Sequence, residues 1–120
     1  MTTAITVLEA NLKRVFNEHD VARRRQAIEK LYAADAVLYE QDGKYSGTDA
    51  VAGAINRLLG SLPPGLAFVL AAPAQENHGM AKLLWKGKLP DGKVIVTGTD
   101  VAQIEDGQIR TIHVFVDPPS

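Results

Sequence analysis

Residues 98–117 read GTDVAQIEDGQIRTIHVFVD. Alternating runs lie on both sides of Asp106-Gly107, a dipeptide that accepts the positive φ angles of a tight hairpin turn. A second break, Pro90-Asp91-Gly92, separates the run Lys93–Ile104 from another at about Gly79–Leu89, and Leu66–Ala72 adds one more. The second half of the chain is therefore expected to form an antiparallel meander ending at Val116. Residues 117–120 (DPPS) read as a frayed tail.

Side chains alternate along a strand, so each run can be sorted into two faces. In Lys93–Ile104 the even set is Val94, Val96, Gly98, Asp100, Ala102 and Ile104, apolar except for Asp100. In Gly79–Leu89 the apolar set is Ala81, Leu83, Trp85, Gly87 and Leu89. A two-residue turn at Asp91-Gly92 puts both sets on one face and sets Trp85 opposite Gly98 and Leu83 opposite Asp100. A three-residue loop from Pro90 would separate the two sets, so the buried pattern selects the shorter turn. For the last strand, a two-residue turn at Asp106-Gly107 sets His113 opposite Asp100 and creates an acid–base pair. A three-residue loop with a bulge sets Ile112 there and turns Ile112, Val114 and Val116 inward. The second keeps the inner face apolar and is preferred.

The first half has helical period. Leu8, Leu12, Val15 and Phe16 form one stripe. Asp20 is placed to cap a second helix carrying Val21, Ile28, Leu31 and Tyr32. Its Arg23-Arg24-Arg25 run reads as a solvated face. Ala36–Glu40 reads as a short strand, broken by Asp42-Gly43 and Gly47. Thr48 or Asp49 then caps a third helix with Val51, Ile55, Leu58 and Leu59 inward, stopped by Gly60 and Pro63-Pro64-Gly65. Three helices that can cover the apolar face of a curved antiparallel sheet define an α+β layer fold. No linker or repeat divides residues 1–120, so one domain is expected.

The 120 residues include no cysteine, which removes disulfides, thiolate metal sites and thiol nucleophiles. Thirteen basic and 14 acidic residues leave a net charge of −1. That balance argues against a nucleic-acid partner, which would need a basic surface. No apolar run suits a membrane span, and no leader pattern is visible at the start, so a cytoplasmic location is expected. His19, His78 and His113 have no metal-ligand spacing, and neither phosphate-cradling glycine loops nor nucleophile motifs occur. No metal or cofactor is expected.

Asp100 is the sharpest chemical feature. A carboxyl on an apolar face must be hydrogen-bonded, paired or neutral. It is either a proton donor or acceptor for a ligand, or a structural carboxylate bonded to a group such as Tyr32. Glu40 shares a face with Ala36 and Leu38, and either face of that strand can be the inner one.

The segment Tyr32–Ala50, the GTD at residues 98–100, the Asp106-Gly107 turn and the closing VFVD together resemble the nuclear transport factor 2-like superfamily, and within it the SnoaL-like proteins. The likeness runs from about Leu8 to Asp117. It implies a cone-shaped sheet wrapping the helices (a cystatin-like fold), an apolar pocket at the open end and a homodimer through the outer sheet face. It implies that Asp100 and Glu40 stand where relatives place a catalytic acid and a general base. The implied pocket would be walled by Leu12, Phe16, Tyr32, Leu38, Leu83, Trp85, Ile112 and Val114. Leu12, Gly98 and Val114 replace a tyrosine, an arginine and an aspartate used by related isomerases and epoxide hydrolases, so neither of those reactions carries over. Two readings follow. One is a cofactor-independent acid/base enzyme (isomerase, cyclase or hydrolase in type) acting on a small apolar or aromatic molecule. The other is a non-catalytic ligand-binding or scaffolding dimer, which a cavity under roughly 300 Å³ would favour.

Overall fold

The computed structural model describes residues 3–118; the last two residues of the expected tail, 119 and 120, lie outside that range. Helix α1 (Ala4–Asn11) opens with a reciprocal Thr3–Thr6 capping box and runs into a wide π-helical turn, Leu12–Phe16. Helix α2 (Val21–Leu31) starts at Asp20, whose carboxylate accepts from the Arg23 amide at 3.0 Å. Strands β1 (Tyr32–Glu40) and β2 (Gly43–Ser46) form a hairpin, and helix α3 (Thr48–Gly60) follows. Strands β3 (Ala67–Leu70), β4 (Gln75–Asn77), β5 (Met80–Lys88), β6 (Val94–Glu105) and β7 (Gln108–Val116) complete the chain.

The strands lie in the order β2-β1-β7-β6-β5-β3, with β4 also paired to β5. The meander is antiparallel as expected, but β1 joins β7 in parallel, so the sheet is mixed. That pairing brings the two halves of the chain into one surface. The helices cover the concave face, and Leu8, Ile28, Leu38, Ile55, Leu83, Ile109 and Ile112 are all fully buried between them.

Both hairpin turns differ from the simplest expectation, and each difference is absorbed by a bulge. At the first, Leu89 N–H donates to Lys93 O across the three residues Pro90, Asp91 and Gly92. Ile95 is then an extra residue in β6, because Lys88 pairs with Val94 while Gly87 pairs with Val96. The extra residue restores the register, so Trp85 faces Gly98 and Leu83 faces Asp100. At the second, Asp106 and Gly107 both take positive φ in a two-residue turn. Arg110 is the extra residue there, so Val114 stands opposite Asp100, in place of either Ile112 or His113. A bulge adds one residue to one strand and reverses its facing beyond that point. This is how apolar sets that a plain turn would separate share the concave face.

Other boundaries also shift. Gly47, at φ 87°, precedes α3 where Thr48 or Asp49 was expected to cap it. Val21 is exposed at the start of α2, and Tyr32 begins β1 instead of ending the helix. Arg24 is buried: its guanidinium donates to the Glu18 carbonyl and the Asn56 side chain, so the arginine run is not a uniformly solvated face. Arg25 bridges Glu29 and Asp49 at the surface. Among the described residues no helix is long and apolar enough to cross a membrane.

Candidate functional site

The site is built on the pairing of Trp85 with Gly98. A side chain at Gly98 would lie on the indole of Trp85 and 2.5 Å from the Phe115 carbonyl oxygen. Glycine therefore lets the ring lie flat across β6. In that position Trp85 Nε1–H donates to Asp100 Oδ1 at 2.9 Å. Phe68 meets Trp85 edge-on at 5.4 Å between centroids, and Phe16 meets Phe68 the same way at 6.0 Å. Asn17 fixes Phe68 from the end of the π-turn, donating to its carbonyl at 2.7 Å and accepting from its amide at 2.8 Å.

These groups surround a cavity of about 230 Å³ between the helices and the sheet. Leu12, Phe16, Phe68, Trp85 and Asp100 make its floor, each under 10% exposed. Leu58, Leu62, Val96, Val114 and Val116 make its partly exposed rim. Asp100 is the one polar residue in that lining. Among the described residues its second oxygen, Oδ2, has no hydrogen-bond partner and is the atom left to meet a ligand.

Burial pushes the Asp100 carboxyl up to about 7; the Trp85 N–H opposes that rise and the charge of Glu40 adds to it. At neutral pH the group is therefore poised to give or take a proton. The chain holds a single tryptophan, so its indole N–H resonance reports this hydrogen bond alone. In a pH series of amide–indole NMR spectra that resonance should titrate with a midpoint near 7. A midpoint near the ordinary carboxylate value would mean that Asp100 is well solvated.

Glu40 lies on the inner side of β1 but outside the cavity. The registers set Asp100 opposite Val114 and Tyr39 opposite His113. Asp100 and Glu40 therefore flank β7 in one lateral row, separated by two strand spacings, roughly 10 Å. Glu40 Oε1 is buried without a partner. Burial raises its pKa, the nearby Asp42 charge adds to that, and Arg57 opposes it. Glu40 is not among the residues that line the cavity.

The expected pocket is corrected in part. Leu12, Phe16, Trp85 and Val114 line the cavity, whereas Tyr32, Leu38, Leu83 and Ile112 do not. Those four are filled over by the helices and are at most 1% exposed. Tyr32 donates to Asn11 Oδ1 at 2.7 Å and so is not the partner of Asp100. His113 is on the outer face, stacked on Tyr39 at 4.3 Å, which removes the acid–base pair. Sequence reasoning missed Leu58, Leu62, Phe68, Val96 and Val116. Val96, Leu58 and Val116 already belonged to sets read as inward, and Phe68 to the run Leu66–Ala72, but Leu62 carried no signal, sitting in the turn after α3. Among the described residues no cluster of His, Asp or Glu side chains could hold a metal ion.

A bent open sheet wrapped over helices, with an apolar cavity between them, defines the nuclear transport factor 2-like, or cystatin-like, class of fold. A family model for the SnoaL-like domain matches residues 10–112, and the chain belongs to that family. The chain is 27% identical to a candidate isomerase of the SnoaL-like family from Agrobacterium tumefaciens str. C58. That alignment covers 98% of this chain and all of the other, with a TM-score of 0.88. A candidate SnoaL-like polyketide cyclase from Jannaschia sp. CCS1 shares the fold at 11% identity and a TM-score of 0.79, covering 95% of this chain and 85% of that one. A de novo designed curved-sheet protein is also similar, at 17% identity and a TM-score of 0.74 over 96% of this chain and 86% of that one. No curated protein matches the sequence. A designed sequence reaches the same architecture, so the fold alone does not assign a function, which has to be argued from the cavity.

Proposed function

We propose that this protein binds a small apolar carbonyl compound in the Asp100 cavity and moves protons on it without a cofactor, as an isomerase or cyclase does. The observation that carries the reading is a single buried carboxyl, one oxygen held by Trp85 and the other unpartnered, in an otherwise apolar lining. Its likeness to the Agrobacterium candidate isomerase is further support. As a neutral acid, Asp100 donates to the carbonyl oxygen. As a carboxylate, it removes a proton from the carbon beside the carbonyl: the C–H electrons pass into the enolate, and the proton returns from Asp100 to carbon. Glu40 contributes charge to Asp100 from across β7 and does not touch the ligand.

The test is deuterium exchange at the α-carbon of apolar ketones chosen by thermal shift. Wild type should exchange them, and Asp100→Asn should lose the exchange while keeping its fold. Unchanged exchange in that variant would remove Asp100 from the mechanism. A second reading, binding without catalysis, is favoured by one observation: about 230 Å³ is less than drug-sized ligands occupy.

We also propose a homodimer through the outer sheet face. Phe115 and Ile95 are 54% and 43% exposed there, beside His113 stacked on Tyr39. An apolar patch of this kind is costly to leave in water. Sedimentation should give twice the 12.9 kDa chain mass. Phe115→Glu should give a folded monomer, and a wild-type monomer at high concentration would refute the interface.

A further inference from the structure

We infer that the cavity selects ligands by size, taking a single-ring or short-chain carbonyl compound of about nine non-hydrogen atoms that enters carbonyl end first. The inference rests on the Asp100 reading given above and adds the dimensions and orientation of the ligand. An apolar cavity of about 150 Å³ encloses one benzene ring. In proportion, the 230 Å³ available here encloses a ring with a short carbonyl arm, and a fused three- or four-ring skeleton would have to project from the mouth into water.

The floor has little freedom to widen. Trp85 is wedged between Gly98 and Phe68, with its N–H committed to Asp100, and Asn17 clasps the backbone of Phe68. Packed interiors resist such expansion, because each displaced ring loses its contacts. Orientation follows from where polarity lies. Asp100 is on the floor, 4% exposed, while the rim is aliphatic throughout. A ligand that entered with its oxygen at the rim would desolvate Asp100 and give it no partner. Leu62, partly exposed in the turn after α3, is the rim side chain that lies outside the regular helices and strands, and we take it to set the upper limit.

The probes are cyclohexanone, acetophenone, 1-tetralone, 9-fluorenone and a steroid ketone. Binding is read from the single indole N–H resonance and by calorimetry. Affinity should peak at acetophenone and be at least tenfold weaker for fluorenone and the steroid. Leu62→Ala should shift the optimum to tetralone. Equal or tighter binding of the three- and four-ring ketones, or binding of none of the series, overturns the size filter. Orientation is tested with α-methylstyrene, in which CH₂ replaces the carbonyl oxygen of acetophenone. It should bind roughly fivefold more weakly than the ketone, and the gap should close in Asp100→Leu, whose folding is checked by its melt. Equal binding of alkene and ketone to wild type refutes both the carbonyl-first orientation and the Asp100 reading while the size optimum stands. A flat size series with the ketone preference intact refutes the filter and leaves the Asp100 reading in place.

Discussion

Gly98→Ala is expected to destabilise the fold by about 3 kcal/mol and to detach Trp85 from Asp100. The added methyl would meet the indole and lie 2.5 Å from the Phe115 carbonyl oxygen. One neighbour is a wedged ring and the other is backbone in a central ladder, so neither moves cheaply. Overpacked cores usually lose about 1–3 kcal/mol, and contact with backbone sets this site at the upper end. For a domain of this size the melting temperature should fall by roughly 10 °C. If the strand bends instead and the fold survives, the indole must tilt and Nε1–H must leave Oδ1. The indole resonance would then lose its titration near pH 7, because the carboxyl it reports would have gone. A variant with wild-type melting and an unchanged indole titration would show that the flat Trp85–Gly98 fit is not what holds the site.

The large-against-small fit of Trp85 on Gly98 was legible in the sequence because period two fixes faces and an apolar set must turn inward. The inward position of Asp100 followed from the same alternation. The turns were less legible. Pro90-Asp91-Gly92 and Asp106-Gly107 admit different loop lengths, and the bulges at Ile95 and Arg110 that reconcile loop with face leave no compositional mark. The parallel union of β1 with β7 joins residues more than 70 positions apart, beyond the reach of local patterning. This explains why Glu40 stayed ambiguous: its facing depends on that pairing. Tyr32, Leu38, Leu83 and Ile112 fall in the pocket that the resemblance implies because inward and pocket-lining are indistinguishable by period. Only the path of the helices decides which part of a concave face is filled. The π-turn at Leu12–Phe16 settles that for Leu12 and Phe16, which reach the cavity from its end.

Asp100→Asn should separate the chemistry of the site from its stability, and in opposite directions. Asparagine keeps an oxygen for Trp85 Nε1–H but cannot exchange a proton, so α-carbon exchange should fall by roughly 10²- to 10⁴-fold. Stability should rise. The carboxyl goes from its ordinary 3.8 in the unfolded chain to about 7 in the fold. Between those values the folded state holds the proton more tightly, so folding weakens as pH rises. Well below pH 4 both states are protonated and there is no penalty; well above pH 7 both are ionised and the whole penalty is present. A displacement of about three units corresponds to about 4 kcal/mol. The variant cannot ionise, so relative to wild type it should be slightly the less stable near pH 4, gain through the acid range and level off as the more stable protein above pH 7. The new amide N–H₂ faces an apolar cavity and should take back about 1 kcal/mol. Carboxylates remote from the cavity are common to both proteins and cancel in the difference; Glu40, whose charge is coupled to Asp100, loses that repulsion in the variant and adds to the gain. Urea melts from pH 4 to 9 measure that difference directly, and parallel curves would mean that the fold bears no cost for this carboxyl. A gap opening with pH would mean that the chain carries a destabilising side chain at the floor of its cavity. A purely structural role does not account for that, because asparagine would hold Trp85 as well and at less cost.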